Sequence, residues 1–354
     1  MKPDTEGFLY PTPDPQICVQ CGICEQVCPI LNVEDRGENV LQTIIGYHRK
    51  MDTRLASSSG GIFSLIAEAV LRQGGKVYGV SFDENFEAHH IGIDNISNLQ
   101  SLQGSKYMQS RIEQTYQQVR SDLHTGRLVL FSGVACQIAG LKHYLKQDYS
   151  NLITVDVLCH GVPSPLVWKK YLEWQSSKYQ DDVKKVFFRK KNQGWKRFEV
   201  ELHFSRGEIY HQPFYQDPFM RLFLSNICLR PSCHQCCFKA LERQSDITLG
   251  DCWGIQDYLP QMDDDQGTSV ILIHTECGHK IISQLFDQMY YQRAETDRAL
   301  PPTADSRKSV AQHPKRKLFF NKLAKSKDMD RIVKLLRPSL TRRMITKLKH
   351  LISK

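Results

Sequence analysis

The chain has 354 residues, 41% hydrophobic and 24% charged, ordinary globular values that exclude collagenous, mucin-like and wholly disordered classes. No run of about 18 apolar residues is present, which argues against a membrane-spanning helix, and residues 1–10 are acidic and lack the apolar stretch of a secretory signal, so a cytoplasmic location is expected. The net charge of +9 is localised: residues 315–354 hold 14 basic and 2 acidic residues (+12), leaving 33 basic and 36 acidic (−3) elsewhere, so no uniformly basic nucleic-acid surface is expected.

The first feature along the chain is Cys18-x2-Cys21-x2-Cys24-x3-Cys28-Pro29. This is the spacing of one half of a bacterial ferredoxin, whose soft thiolates hold a 4Fe-4S cubane. Structural zinc is the alternative, but zinc sites usually pair two separate knuckles. In paired halves the fourth cysteine ligates the other half's cluster. The partner of Cys28 is therefore expected in a second half-motif upstream, and without it the cluster's fourth ligand is open.

Residues 46–50 read as a short strand. Ser57-Ser58-Ser59-Gly60-Gly61 is a turn before a helix over 62–72, apolar at Ile62, Phe63, Leu65, Ile66, Ala69 and Val70 and stopped by Gly74-Gly75. A strand follows at 76–82. Gly104-Ser105-Lys106-Tyr107 precedes a polar-faced helix at 110–124. Residues 127–132, 137–146 and 152–158 read as strand, helix, strand. Residues 183–189, 198–204 and 208–212 form an antiparallel set, and 246–249 and 269–274 are further strands. The pattern is mixed α/β: a central mixed sheet with flanking helices. Three regions are expected: a ferredoxin-like segment (1–45), an oxidoreductase core (46–300) and a basic helical tail (301–354). In the tail Leu318, Phe319, Leu323, Ile332, Leu335, Leu336, Ile345, Leu348 and Ile352 recur at near-helical spacing, divided by Pro338. It either packs one stripe on the body or docks peripherally on an anionic membrane or acidic donor protein.

Twelve cysteines in a large cytoplasmic chain read as ligands before disulfides. A right-handed crossover makes the strands at 127–132 and 152–158 parallel. Cys136 and Cys159 then lie at one carboxyl edge of the sheet, where open α/β sheets place ligands. Cys233 and Cys236 can complete a four-cysteine site, with Cys228 in reserve. Three alternatives stand beside this: buried structural cysteines, a reactive Cys136 at a helix start, and a local zinc knuckle from Cys228, Cys233, Cys236 and Cys237 or His234. The two small-residue turns can hold a phosphate and a ring, although each also reads as a simple cap. Neither GxGxxG nor a Walker lysine is present.

Several strings together resemble the beta subunits of coenzyme F420 (deazaflavin) hydrogenases and dehydrogenases, in the bacterial branch with a ferredoxin segment in front. They are Gly7-Phe8-Leu9-Tyr10-Pro11, the cysteine run, the 57–61 turn, residues 104–110, Gly133-Val134-Ala135-Cys136-Gln137, Leu158-Cys159-His160-Gly161-Val162-Pro163-Ser164-Pro165, Cys228-Leu229-Arg230-Pro231-Ser232-Cys233 and Ser245-Asp246-Ile247-Thr248-Leu249-Gly250-Asp251-Cys252-Trp253-Gly254. They span residues 7–280. The chain departs at Ala135 and Cys252, where relatives more often carry Pro and Phe, and it lacks the first ferredoxin half. The resemblance implies FAD at Ser57, Ser58, Ser59, Gly60, Gly61, Gly104, Ser105, Lys106 and Tyr107, with Lys106 and Tyr107 contacting the flavin. It also implies a 4Fe-4S cluster on Cys136, Cys159, Cys233 and Cys236. His160, beside a ligand, is the candidate proton donor. The expected function is electron transfer between a ferredoxin-type or other redox protein, the clusters, FAD and a small-molecule substrate, by analogy in polysaccharide biosynthesis. The rival is an electron carrier or zinc-stabilised interaction protein with no substrate of its own.

Overall fold

The computed structural model describes residues 1–33, 40–326 and 328–336. Eleven of its strands form two sheets. In chain order these are β1 (Gln42–His48), β2 (Lys76–Phe82), β3 (Ala88–Ile93), β4 (Val129–Val134), β5 (Leu152–Val157), β6 (Val183–Lys190), β7 (Glu199–Phe204), β8 (Ile209–Pro213), β9 (Ile247–Asp251), β10 (Ser269–Ile273) and β11 (Met289–Arg293). The larger sheet has the order β11-β1-β10-β9-β5-β4-β2-β3. Its central strands β2, β4, β5 and β9 are mutually parallel, and antiparallel strands flank them on both sides. Sequences such as Leu152-Ile153-Thr154-Val155 suit this position, because a strand covered on both faces reads as a continuous apolar run.

Helix α1 (Ile62–Arg72) covers one face. It buries Ile62, Leu65, Ile66, Val70 and Leu71, and it packs with Ile44, Val77, Leu130, Val155 and Ile271. The chain enters it through Gly61 at φ 84°, a conformation that favours glycine. Helices α2 (Thr115–His124) and α3 (Ala135–Leu145) cover the other face, burying Val119, Leu123, Ile138 and Leu141 against Tyr78 and Phe131. The helix expected over 110–124 starts only at Thr115. Residue 111 instead pairs with β3, where the His90 N–H donates to the Arg111 carbonyl at 2.9 Å.

The smaller sheet, β8-β7-β6, is the expected antiparallel set. It packs on α4 (Pro165–Tyr179), α5 (Pro218–Leu224), α6 (Arg316–Leu323) and α7 (Met329–Val333), through Trp168, Tyr171, Val200, Leu202, Phe219, Phe223, Phe319, Leu323 and Ile332. The first part of the basic tail is therefore built into an apolar core. Pro338, Ile345, Leu348 and Ile352 lie outside the described residues. Among the described residues no helix is long and apolar enough to cross a membrane.

Candidate functional site

Strands β4 and β5 pair parallel to their last residues, Val134 opposite Val157. The chain passes from β4 straight into α3, which puts Cys136 in the first helical turn. It leaves β5 through Leu158, whose N–H donates to the Leu249 carbonyl of β9 at 2.8 Å, and reaches Cys159. Both cysteines thus sit at the carboxyl edge, as the crossover argument requires.

The other two thiols come from a short turn at Pro231–Gln235. The Arg230 N–H donates to the Val162 carbonyl at 2.8 Å, and the Val162 N–H donates to Cys233 Sγ at 3.4 Å. Gly161 sits at φ 149°, and a Cβ there would stand 2.9 Å from Leu229 Cδ1 and 3.5 Å from the Cys233 Cβ. Close approach of the two segments therefore needs this glycine. The Cys236 N–H donates to Ser309 Oγ at 2.8 Å.

The four thiols interact electrostatically. The Cys136 residue is open at the surface, but its thiol is crowded by protein; desolvation, then the Cys159, Cys236 and Cys233 thiols, push its pKa upward. Cys159 is pushed up to about 12 by burial and then by Cys233, with the Lys239 ammonium opposing. Burial raises Cys233 as well. Cys136 is therefore not an activated nucleophile, since reactive thiols have lowered pKa values. Three soft donors whose pKa values burial raises, with Cys236 beside them, fit a polynuclear cation that neutralises them together. Among the described residues no group of three or more His, Cys, Asp or Glu side chains is arranged as a metal-ion site.

Cys228 does not stand in reserve. It is fully buried among the residues around Trp168 and Phe223, and burial pushes it up to about 12. His234 gives Nδ1 to the Val310 carbonyl at 3.0 Å. His160 pairs Nε2 with Asn226 Oδ1 at 2.7 Å, packs edge-on against Phe223, and is pushed below the usual histidine pKa by burial.

The two small-residue turns meet. Ser58 Oγ and Ser105 Oγ lie 2.8 Å apart, and Gln103 Nε2 donates to Ser64 Oγ of α1 at 2.9 Å. Gly60 is packed so closely that a Cβ would stand 2.6 Å from the Gly46 carbonyl oxygen. No side chain caps the start of α1, which leaves its first amides without a capping side chain. Lys106 does not point into it: its Nζ donates to the carbonyls of Gln103 at 2.8 Å and Ser101 at 3.0 Å, and burial lowers its pKa to about 7. The Tyr107 ring packs on Phe188 and Phe223, and its hydroxyl accepts from Arg189 Nη1 at 3.2 Å.

Arg189 leads to residues that the sequence reading gave no role. Its guanidinium grips Asp251, at the carboxyl end of β9, with bonds of 2.9 and 3.0 Å. Trp195 Nε1 donates to the same carboxylate at 2.9 Å, and its ring stacks on Trp253 at 4.4 Å and 3°. Trp253 is half exposed, an open aromatic face on the edge that carries the thiols. Lys191 Nζ donates to the carbonyls of Arg54, Ser59 and Gln266 at 2.7–2.8 Å, tying the smaller sheet to the 57–61 turn. Only the adjacency of Asp251 and Trp253 within one quoted string hinted at this group.

The ferredoxin-like loop is the most exposed part of the site. Cys18, Cys21 and Cys24 are exposed and Cys28 is half-buried. A short helix, Ile23–Gln26, enters through Gly22 at φ 70°, and Asn32 Nδ2 closes its far end on the carbonyls of Glu25, Gln26 and Cys28 at 2.7–3.2 Å. The preceding Gly7-Phe8-Leu9-Tyr10 segment docks on the four-thiol side. Phe8 is fully buried, Arg230 Nη2 donates to the Leu9 carbonyl at 3.0 Å, and the Arg230 guanidinium lies 4.3 Å over the Tyr10 ring. Arg316 of α6 grips the Glu6 carboxylate and donates to the Leu229 carbonyl at 2.9 Å. The segment that carries one cysteine group is thus fastened beside the other.

Residues 126–299, which include β4, β5, β9 and all four converging cysteines, match the family described as the C terminus of the coenzyme F420 hydrogenase/dehydrogenase beta subunit. Over these residues the chain is similar to this beta-subunit family. It is 22% identical over 285 residues to the F subunit of the F(420)H(2) dehydrogenase of Methanosarcina mazei, covering 77% of this chain and 72% of that protein. Its fold is shared with a chain of the F420-reducing [NiFe] hydrogenase complex of Methanosarcina barkeri, with a TM-score of 0.51 and 20% identity, covering 86% of this chain and 94% of that one.

Proposed function

We propose that this chain is a redox subunit that carries a 4Fe-4S cluster on Cys136, Cys159, Cys233 and Cys236, a second cluster on its ferredoxin-like loop, and FAD at the seam between the 57–61 and 104–107 turns. The observation that carries the proposal is the electrostatic convergence of four thiols from distant parts of the sequence at the carboxyl edge of parallel strands. The bound groups would supply one-electron transfer at the clusters and hydride transfer at the flavin.

The residues have distinct tasks in this reading. Cys18, Cys21 and Cys24 stand open to a ferredoxin-type donor, while Arg230 and Arg316 fix the loop's approach to the body. The α1 amides and Ser58 receive the anionic part of the flavin, and Lys191 holds that turn from behind. Lys106 shapes the neighbouring turn by capping its carbonyls and does not bind phosphate. Trp253 offers a stacking face for a planar ring. His160, neutral and bonded to Asn226, positions the Cys159 segment.

Purification under anaerobic conditions followed by iron, sulfide and flavin analysis tests this. Iron and sulfide together with about one FAD per chain are expected. Iron without flavin, with no rebinding of FAD, would favour an electron carrier, and zinc in place of iron would favour an interaction module.

A further inference from the structure

Lys239 lies three residues beyond Cys236 and is 4% exposed. Its Nζ donates to the His160 carbonyl at 2.8 Å and to the Asp305 carbonyl at 3.0 Å. Among the described residues no carboxylate lies within ion-pair distance of it. Burial pushes its pKa down, and the groups that oppose this are the Cys159, Cys236 and Cys233 sulfurs, in that order, and only then the Asp305 carboxylate. An ammonium buried without a paired anion is costly. Two carbonyls satisfy part of its hydrogen bonding but none of its charge. The position is also fixed: one carbonyl belongs to the residue after Cys159, so the cation and that ligand move together.

We infer that Lys239 is the built-in counter-cation of the cluster proposed on Cys136, Cys159, Cys233 and Cys236, and that it sets that cluster's reduction potential. The inference rests on the four-cysteine reading. Four thiolates around a cubane leave net negative charge on the assembly, and each electron that arrives adds one more negative unit. A fixed positive charge beside three of the ligands stabilises the reduced form more than the oxidised one, and it does so strongly where water is excluded. Charge near a cluster and hydrogen bonding to its surroundings are the protein's levers on such potentials. Lys239 is a positioning residue here: it touches no substrate and transfers no proton.

The test uses the full chain with Cys18, Cys21 and Cys24 replaced by Ser, so that one cluster site remains. Iron, sulfide and the visible spectrum are measured first, then the midpoint potential by redox titration followed by EPR. Lys239→Met should retain the cluster and lower the potential, so that the reduced-to-oxidised ratio at a fixed potential falls at least tenfold, ~59 mV for a one-electron couple. Lys239→Arg should stay near the parent. An unchanged potential in Lys239→Met with the cluster intact overturns the inference. Where Lys239→Met loses iron, Lys239→Gln is read instead, because it can still donate to the two carbonyls. Iron lost from both neutral variants and kept by Lys239→Arg supports the need for charge; iron lost from all three shows a structural tie and overturns it. A parent that holds no cluster overturns the four-cysteine reading itself and this inference with it.

Discussion

Phe319 offers a sharp test of where the body ends. It lies in α6, in the apolar stripe of the strongly basic stretch, is 0% exposed and packs edge-on against Phe320 at 5.0 Å. It belongs to the apolar cluster that joins α4, α5 and the smaller sheet. Truncating a fully buried phenylalanine to alanine costs about 3–5 kcal/mol, from lost transfer energy and the cavity left behind. At about 2 °C per kcal/mol for a chain of this size, Phe319→Ala should lower the thermal midpoint by about 6–10 °C. Leu318, the preceding residue, is 45% exposed, and Leu318→Ala should change stability by about 0.5 kcal/mol or less. Both variants are followed by circular dichroism under one scan rate. Midpoints within about 2 °C of each other and of the parent would mean that α6 is a detachable tail, and would refute the placement of Phe319 in the core.

Gly60→Ala would force a Cβ to within 2.6 Å of the Gly46 carbonyl oxygen and 2.9 Å of Ser269 Oγ. Because the first of these is backbone, the 57–61 turn must shift, costing about 1–3 kcal/mol and reducing bound FAD; a variant with full flavin content and an unchanged midpoint would oppose the seam as the flavin site. Asp264 receives two bonds of 2.6 Å from Arg54. Desolvation raises its pKa, but the Arg54 hydrogen bonds outweigh this and hold it below the ordinary 3.8. A carboxylate with a lowered folded pKa stabilises above its unfolded value and loses that contribution as pH falls through the folded one. The stability deficit of Asp264→Asn should therefore be full above about pH 4 and shrink toward pH 2; a deficit independent of pH would show that the charge is immaterial.

Much of this was legible because the central strands and α1 obey simple periodicities. The apolar runs at 76–82 and 152–157 and the stripe from Ile62 to Val70 admit few other readings. From the parallel pair β4–β5 the shared edge of Cys136 and Cys159 followed. The two outer strands, β3 and β11, were not legible. Ala88-His89-His90-Ile91-Gly92-Ile93 and Met289-Tyr290-Tyr291-Gln292-Arg293 are half polar, because an outer strand packs less of its surface. Helix α4 was hidden by its mixed face, although Ser164 and Pro165 mark its start: Ser164 Oγ accepts from the Val167 N–H at 3.2 Å. At the site, motif spacing and the strand-helix-strand argument picked out the candidate thiols but could not say that Cys228 is core, since that depends on what α4 and α5 bring over it. Lys106 read as a ligand cation because nothing in its sequence reveals the carbonyls it caps. Arg189, Lys191 and Lys239 carried no signal, since a buried cation looks like any surface lysine or arginine until its partners are in place.

The most direct measurement of the central claim is the iron and acid-labile sulfide bound by the chain with Cys18, Cys21 and Cys24 replaced by Ser, before and after a further Cys159→Ser change, with EPR of the reduced samples. The four-thiol site predicts about four iron and four sulfide per chain and a 4Fe-4S signal in the first protein, and loss of both on replacing Cys159. Iron and signal unchanged by Cys159→Ser, or absent from the first protein altogether, would contradict it.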